Sequence, residues 1–309
     1  MEANVKQWVI ACAGLVICFQ IFVGSAASAD YLNIEDSGFT RLPVSSRALG
    51  MGGAFVAVAD DYSACYYNPA GLVSVENRQI GCMYTDLYGL GLLTHSFLAY
   101  VEPDSGMGSG ALSWSHLSAD LEPEQWTYDA WAYSYANSLS VGRGSTGNSW
   151  GATIKYLTQN SPYEQSATGY GLDIGFLQKN RAFSWGICVQ DLLSNMSWST
   201  GEADAIPINI MAGLSYVSDP RLLLALDIDL TFEDMPRAIR LGGEWTLTEN
   251  VSIRGGLSKI FQDDSSIPFS GGLGFNTEVA TASNISGNYA FVSSDQLEGT
   301  HYFSLGFAF

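Results

Sequence analysis

The sequence predicts an all-β fold, a transmembrane antiparallel β-barrel of about 14 strands. Three observations predict it. Long runs alternate apolar with small or polar residues, as a wall between lipid and lumen requires. The final run alternates in the same way and stops on an aromatic residue, Phe309. The 33 glycines, 16 tyrosines, 15 phenylalanines and 8 tryptophans suit many short strands ringed by aromatic girdles better than a helical bundle.

The chain opens with Lys6 ahead of an apolar run from Trp8 to Val23, then Ala27-Ser28-Ala29 before Asp30. This predicts a secretory signal peptide over residues 1–29. Ile17, next to Cys18, is not the small residue that lipoprotein cleavage needs, which argues against lipidation. No later apolar run reaches the ~20 residues of a spanning helix. A membrane-integral product must therefore be a closed barrel, the other structure that satisfies its own backbone in lipid. The net charge of −18 excludes nucleic acid as a partner, because phosphates need cationic surfaces.

Residues 47–72 read RALGMGGAFVAVADDYSACYYNPAGL. Gly50, Gly52 and Gly53 allow positive φ or a close backbone approach. Asp60 or Asp61 can cap a short helix through Ala64, and Asn68-Pro69 ends any helix. This glycine-rich stretch with its NPAGL resembles the N-terminal region of the PorV/PorQ and FadL-like outer-membrane barrels, the latter including long-chain fatty acid transporters. The resemblance is sharp over about 25 residues and architectural elsewhere. It implies that residues 30–76 form a hatch inside the lumen and residues 77–309 the barrel. It further implies that Gly50, Gly52 and Gly53 act as its hinge, and that Asn68, Pro69 and Ala70 form the turn that positions it.

From Asn77 the chain divides into segments at roughly 77–87, 92–102, 108–118, 126–139, 147–158, 167–178, 182–191, 206–217, 221–232, 236–247, 250–260, 267–277, 279–292 and 300–309. Leu222, Leu224, Leu226, Ile228 and Leu230 oppose Ala225, Asp227 and Asp229. Leu241, Gly243, Trp245 and Leu247 oppose Arg240, Gly242 and Glu244, and Tyr170, Leu172, Ile174 and Phe176 oppose Gly171, Asp173 and Gly175. Phe303, Leu305, Phe307 and Phe309 form the last apolar stripe. Terminal Phe309 resembles the signal by which outer-membrane barrels are recognised for assembly. Connections rich in Asp, Glu, Ser, Gly and Asn are expected at 102–108, 118–124, 194–205, 261–266 and 293–299, with 118–125 on the periplasmic side.

Inside the wall the alternation gathers Asp227, Asp229, Arg240, Glu244 and Arg254 on three neighbouring strands. One reading is a salt-bridge ladder bracing a narrow lumen; the other is a polar selectivity lining. The Asp227/Asp229 pair raises acid–base chemistry, and His95 or His116 could work with a lumen serine, but no nucleophile motif accompanies them. Tyr66 and Tyr67 either fill the lumen or line a pocket for an apolar ligand. Beyond the signal peptide lie Cys65, Cys82 and Cys188; Cys65 and Cys82 could pair, or all three could be unpaired apolar residues. No spacing suggests a metal site, and no cofactor is expected.

The leading expectation is a non-enzymatic barrel, integral to the outer membrane of a diderm bacterium, that binds or passes hydrophobic, fatty-acid-like molecules through a hatch-gated lumen. As the resemblance implies, ligand would bind near the hatch, the hatch would shift, and ligand would leave through the lumen or a lateral opening. Expected partners are outer-membrane lipid, the barrel-assembly machinery and a hydrophobic small molecule. A PorV-like component of type IX protein secretion, with secretion-system partners, and a purely structural barrel are the alternatives.

Overall fold

A computed structural model describes residues 41–121, 124–139, 147–161, 165–231, 237–261, 267–280, 283–294 and 297–309. The expected signal peptide and the first residues of the expected hatch lie outside these. The strands are β1 (Gln79–Asp86), β2 (Leu93–Glu102), β3 (Ser109–Leu121), β4 (Glu124–Ser138), β5 (Gly147–Asn160), β6 (Ser166–Lys179), β7 (Phe183–Trp198), β8 (Ala203–Ala205), β9 (Asn209–Asp219), β10 (Leu222–Thr231), β11 (Arg237–Thr248), β12 (Val251–Phe261), β13 (Phe269–Ala280), β14 (Ser283–Val292) and β15 (Thr300–Ala308). Each wall strand pairs antiparallel with its neighbours in the chain; β6 pairs with β7 and β1 with β15, so the ring closes. The wall has 14 strands, β1–β7 and β9–β15, with β8 a short ribbon folded back on β7.

Closure gives each of the 14 wall strands a partner on both sides, and the side chains sort by parity as the sequence predicts. Leu305, Phe303, Leu241, Trp245, Tyr170 and Ile174 stand exposed on the outside, whereas Asp227, Asp229 and Asp173 are buried inside. Among the described residues no helix is long and apolar enough to cross a membrane. The β15 stripe ends with Phe309, which stacks on Phe307 at 5.2 Å and donates its N–H to the Arg78 carbonyl at 2.9 Å, zipping the last strand to the first.

Two expected connections are largely strand. β3 runs on to Leu121 and β4 begins at Glu124, because their pairing continues to Leu121 opposite Glu124. The β3–β4 connection therefore leaves the wall at the opposite end from Arg78 and Phe309, so the expected periplasmic placement of 118–125 holds only if those chain ends face outward. β7 continues through residues 192–198, and β8 takes up part of 194–205. Strands β3–β7 are thereby longer than most of the others, and one side of the barrel stands taller.

Residues 41–76 form two short helices, α1 (Ser46–Gly50) and α2 (Ala64–Tyr67), and a 3-10 helix (Pro69–Ser74). Asn68 is the break between the last two, extended at φ −162°, and its side chain accepts the Ala70 N–H. Asp61 does not cap α2 from the expected position; its carboxylate closes a turn onto the Ser63 N–H and hydroxyl. This segment touches every wall strand from within. Inward glycines on eight strands, Gly81, Gly151, Gly175, Gly186, Gly213, Gly242, Gly256 and Gly272, sit where a Cβ would run into it. Phe97 of β2 packs on Tyr62, Ser134 of β4 donates to the Cys65 carbonyl, Asp227 of β10 accepts two of its N–H groups, and β3, β14 and β15 adjoin its helices and Tyr62. A segment in contact with all strands of a closed ring lies inside the ring.

Candidate functional site

The middle of the lumen is built where the N-terminal segment meets inward polar side chains. Asp227, fully buried on β10, accepts the N–H of Phe55 at 2.6 Å and of Val56 at 2.8 Å. In a site without water these two donors would otherwise go unpaired, so the carboxylate docks the backbone. Asn68 donates from Nδ2 to the Val56 carbonyl and to the Phe176 carbonyl of β6, each at 3.1 Å, tying two parts of the segment to the wall. Pro69 and Ala70 lie against Gly151, and Ser149 donates to the Ala70 carbonyl at 2.9 Å. Gly52 and Gly53 have φ of +67° and +80°, the left-handed region that glycine tolerates, with Gly52 pressed on the β11 and β12 backbones. Gly50 instead ends α1 beside Gly272.

The expected charge ladder exists but is shared with the segment. Arg240 grips Asp229 with two 2.6 Å bonds and leaves Asp227, its partner in register, to the backbone. Arg47 of α1 forks onto Glu244 at 2.9 and 3.0 Å, and Arg254 reaches the same carboxylate at 2.5 Å. Arg47 also meets Asp60 at 2.6 Å and Asp61 at 3.2 Å. Burial alone would lower the Arg47 guanidinium, yet Asp60 and Glu244 push it well above its usual range. Burial raises the Asp60 carboxyl, and the attraction of Arg47 outweighs that and holds it below the ordinary value.

A second ionic group lies deeper, towards the tall side. Lys155 of β5 bonds Asp173 of β6 at 2.7 Å and also Asp191 of β7. Asp191 pairs with Arg41 at 3.4 Å, and Arg41 donates as well to the Pro207 carbonyl. Beyond this group the inner face of β3–β7 turns apolar, with Leu117, Tyr128, Leu157, Ala167 and Met196 buried beside Ile206 and packed against Trp198 and Tyr66. A cleft among Leu117, Ala119, Trp126, Tyr128 and Gln159 is too narrow for a water molecule.

The remaining expected sites are placed as follows. Tyr67 is core, donating to the Val44 carbonyl at 2.6 Å and packed edge-on to Phe55, whereas half-buried Tyr66 packs at the boundary of the apolar region. Cys65 is buried in the lumen and Cys82 is exposed on the outside, so the sheet separates them and both are free thiols. Parity on β1 places Cys82 with outward Ile80 and Tyr84 and excludes the pair. His116 faces outward, where Asp129 accepts from it at 2.9 Å and Trp114 stacks on its ring, so it cannot serve a lumen serine. His95 points inward and shares a 2.9 Å hydrogen bond with Ser115. Arg41, Lys155 and Asp191 escaped sequence reasoning. Lys155 follows Ser149, Gly151 and Thr153 at alternate positions, and that parity was the signal for it.

No protein-family model and no curated protein sequence matches the chain. Among solved structures, it is similar to the CymD monoaromatic hydrocarbon channel, with a TM-score of 0.61 at 12% identity over 87% of this chain and 98% of that one. A Pseudomonas aeruginosa FadL homologue aligns with a TM-score of 0.58 at 13% identity, covering 92% and 99%. The P. putida toluene transporter TodX aligns with a TM-score of 0.59 at 9% identity, covering 84% and 95%. At such identities the likeness is one of fold, a FadL-like barrel.

Proposed function

We propose, from a FadL-like barrel whose lumen holds its own N-terminal segment, that the chain is an outer-membrane protein passing hydrophobic small molecules. The observation that carries this reading is the apolar inner face of the tall side, where Leu117, Tyr128, Leu157, Met196 and Ile206 pack together against Tyr66. A hydrocarbon or the tail of a fatty acid gains about 25 cal/mol per Å² of apolar surface buried there. In this reading residues 30–76 act as the hatch, which moves as a unit about Gly50, Gly52 and Gly53 while Asn68-Pro69-Ala70 holds its far turn. Ligand entry beside the narrow cleft needs side chains on β3–β5 to move.

A scaffold role in protein secretion, as in PorV, is favoured by one feature: a lumen filled by a segment bound to every strand suits a barrel that works through its surface. Two measurements separate the readings. Planar-bilayer recordings should give little or no steady current from the intact protein and a stepwise conductance after deletion of residues 30–76; a folded, silent deletion variant counts against the hatch. Native mass spectrometry with p-xylene and with oleate should show bound ligand. If neither binds and a secretion translocon copurifies, the transport reading falls.

A further inference from the structure

The outer surface of the wall carries few cations at one of its two ends. The chain ends Arg78 and Phe309 lie at the other, where connections as short as residues 180–182, 220–221 and 249–250 return the chain. Turns this short belong on the periplasmic side of a bacterial barrel, which sets the opposite rim in the outer leaflet. Among the described residues that rim exposes Asp120, Glu202, Asp204 and Glu298, and its only outward Lys or Arg are Arg237 and Lys259. Parity fixes both: Ala238 and Ser258 are buried inside, so their neighbours in the strand face out. Pairing sets Arg237 opposite Phe261 and Ile239 opposite Lys259. The two cations are thus diagonal neighbours across β11 and β12, with Cα atoms roughly 7–8 Å apart.

Strand length gives their height. β11 has 12 residues, and at roughly 3.4 Å per residue and a tilt of about 40° it rises on the order of 30 Å, just over the ~25 Å band that acyl chains cover. Arg237, its first residue, therefore stands at headgroup level with Lys259 beside it. Below them the outward face is apolar, Leu241 opposite Leu257 and Leu257 opposite Phe269. A cationic pair above an acyl-chain surface, on a rim otherwise acidic, suits a lipid with a phosphate headgroup. Phosphate oxygens accept charge-assisted hydrogen bonds from a guanidinium fork and an ammonium together, and the acids elsewhere on the rim repel them. We infer that Arg237 and Lys259 form a docking site for a phosphate of lipid A, the phosphorylated saccharolipid of the outer leaflet, whose acyl chains run down over Leu241, Leu257 and Phe269. The inference rests on the outer-membrane setting of the proposed function and is independent of what passes through the lumen, since both side chains stand on the outside of the wall.

Native mass spectrometry of the full-length barrel in detergent, titrated with lipid A, tests the site. Arg237→Gln with Lys259→Gln should weaken lipid A binding about thirtyfold, the product of two surface cations at roughly fivefold each. Lipid A stripped of its phosphates should bind the unaltered barrel about as weakly, an arm that needs no variant. Arg181→Gln with Arg221→Gln removes the same charge from exposed positions on the opposite rim and should leave binding unchanged. An equal loss in that control overturns the inference, as does full binding by Arg237→Gln with Lys259→Gln. Phosphatidylglycerol binding as tightly as lipid A, or inorganic phosphate displacing lipid A at equal concentration, overturns lipid A as the occupant. If neither p-xylene nor oleate binds while lipid A behaves as expected, the transport reading falls and the site stands; if they bind and the lipid A results fail, the site falls and the transport reading stands.

Discussion

At Gly256 an added Cβ would overlap the backbone of Met51 and Gly52, because the segment passes directly over the β12 backbone. Gly256→Val therefore has to push the segment off the wall, at about 1–3 kcal/mol of overpacking. Limited proteolysis between residues 41 and 76 should speed roughly ten- to hundredfold, while the heat-modifiable gel band of the folded barrel persists. Gly255, one residue away, faces outward into open space, so Gly255→Ala is the matched control. Asp60 gives a pH test of the same contact. Its carboxyl lies below the ordinary value because Arg47 outweighs burial, so its contribution is fully present above the unfolded pKa of ~4 and is lost as pH falls through the folded one. Proteolysis of the segment by an acid-active protease should rise below pH ~4 in the wild type, and Asp60→Asn should flatten that rise. Its side chain keeps 37% exposure, so solvent screens the pair and the step should be modest.

At the scale of the element, strand parity decides which chemistry can meet. β1 sends Cys82 to the outside among Ile80 and Tyr84, while Cys65 is buried within the segment inside the lumen. A lipid-soluble maleimide should label Cys82 in the folded barrel and reach Cys65 and Cys188 only after heating, and migration should be the same with and without reductant. Labelling of Cys65 in the folded state would contradict the buried placement. The stripes on β6, β10, β11 and β15 were legible because period 2 survives any reasonable error in strand ends. The ends themselves were not. Nothing local distinguishes the run 118–121 from a loop, and only pairing with the start of β4 keeps it extended. The break in β7 likewise has no Gly or Pro to announce it; it arises where β6 and β9 fall out of register on its two sides.

For the whole molecule, closure turns fourteen weakly marked strands into one object without edges, and the segment inside supplies the core that a ring of this size needs. Alternation along the strands pointed to a barrel wall whatever the contacts, since it depends only on which side of a wall a residue must face. The charged positions Asp227, Asp229, Arg240, Glu244 and Arg254 were likewise assigned to the inside by parity. Which of them pair was settled by three-dimensional proximity: Arg47, 197 positions before Glu244 in the chain, takes its carboxylate, and Asp227 goes to backbone N–H groups. Sequence spacing carries no information on contacts between a folded-back segment and a distant strand, because the ring's shear and the segment's path set those distances. Hence the inward face could be read from the chain, while the docking of the segment, the Arg41 contact with Asp191 and the interruption of pairing along β7 could be read only from the folded barrel.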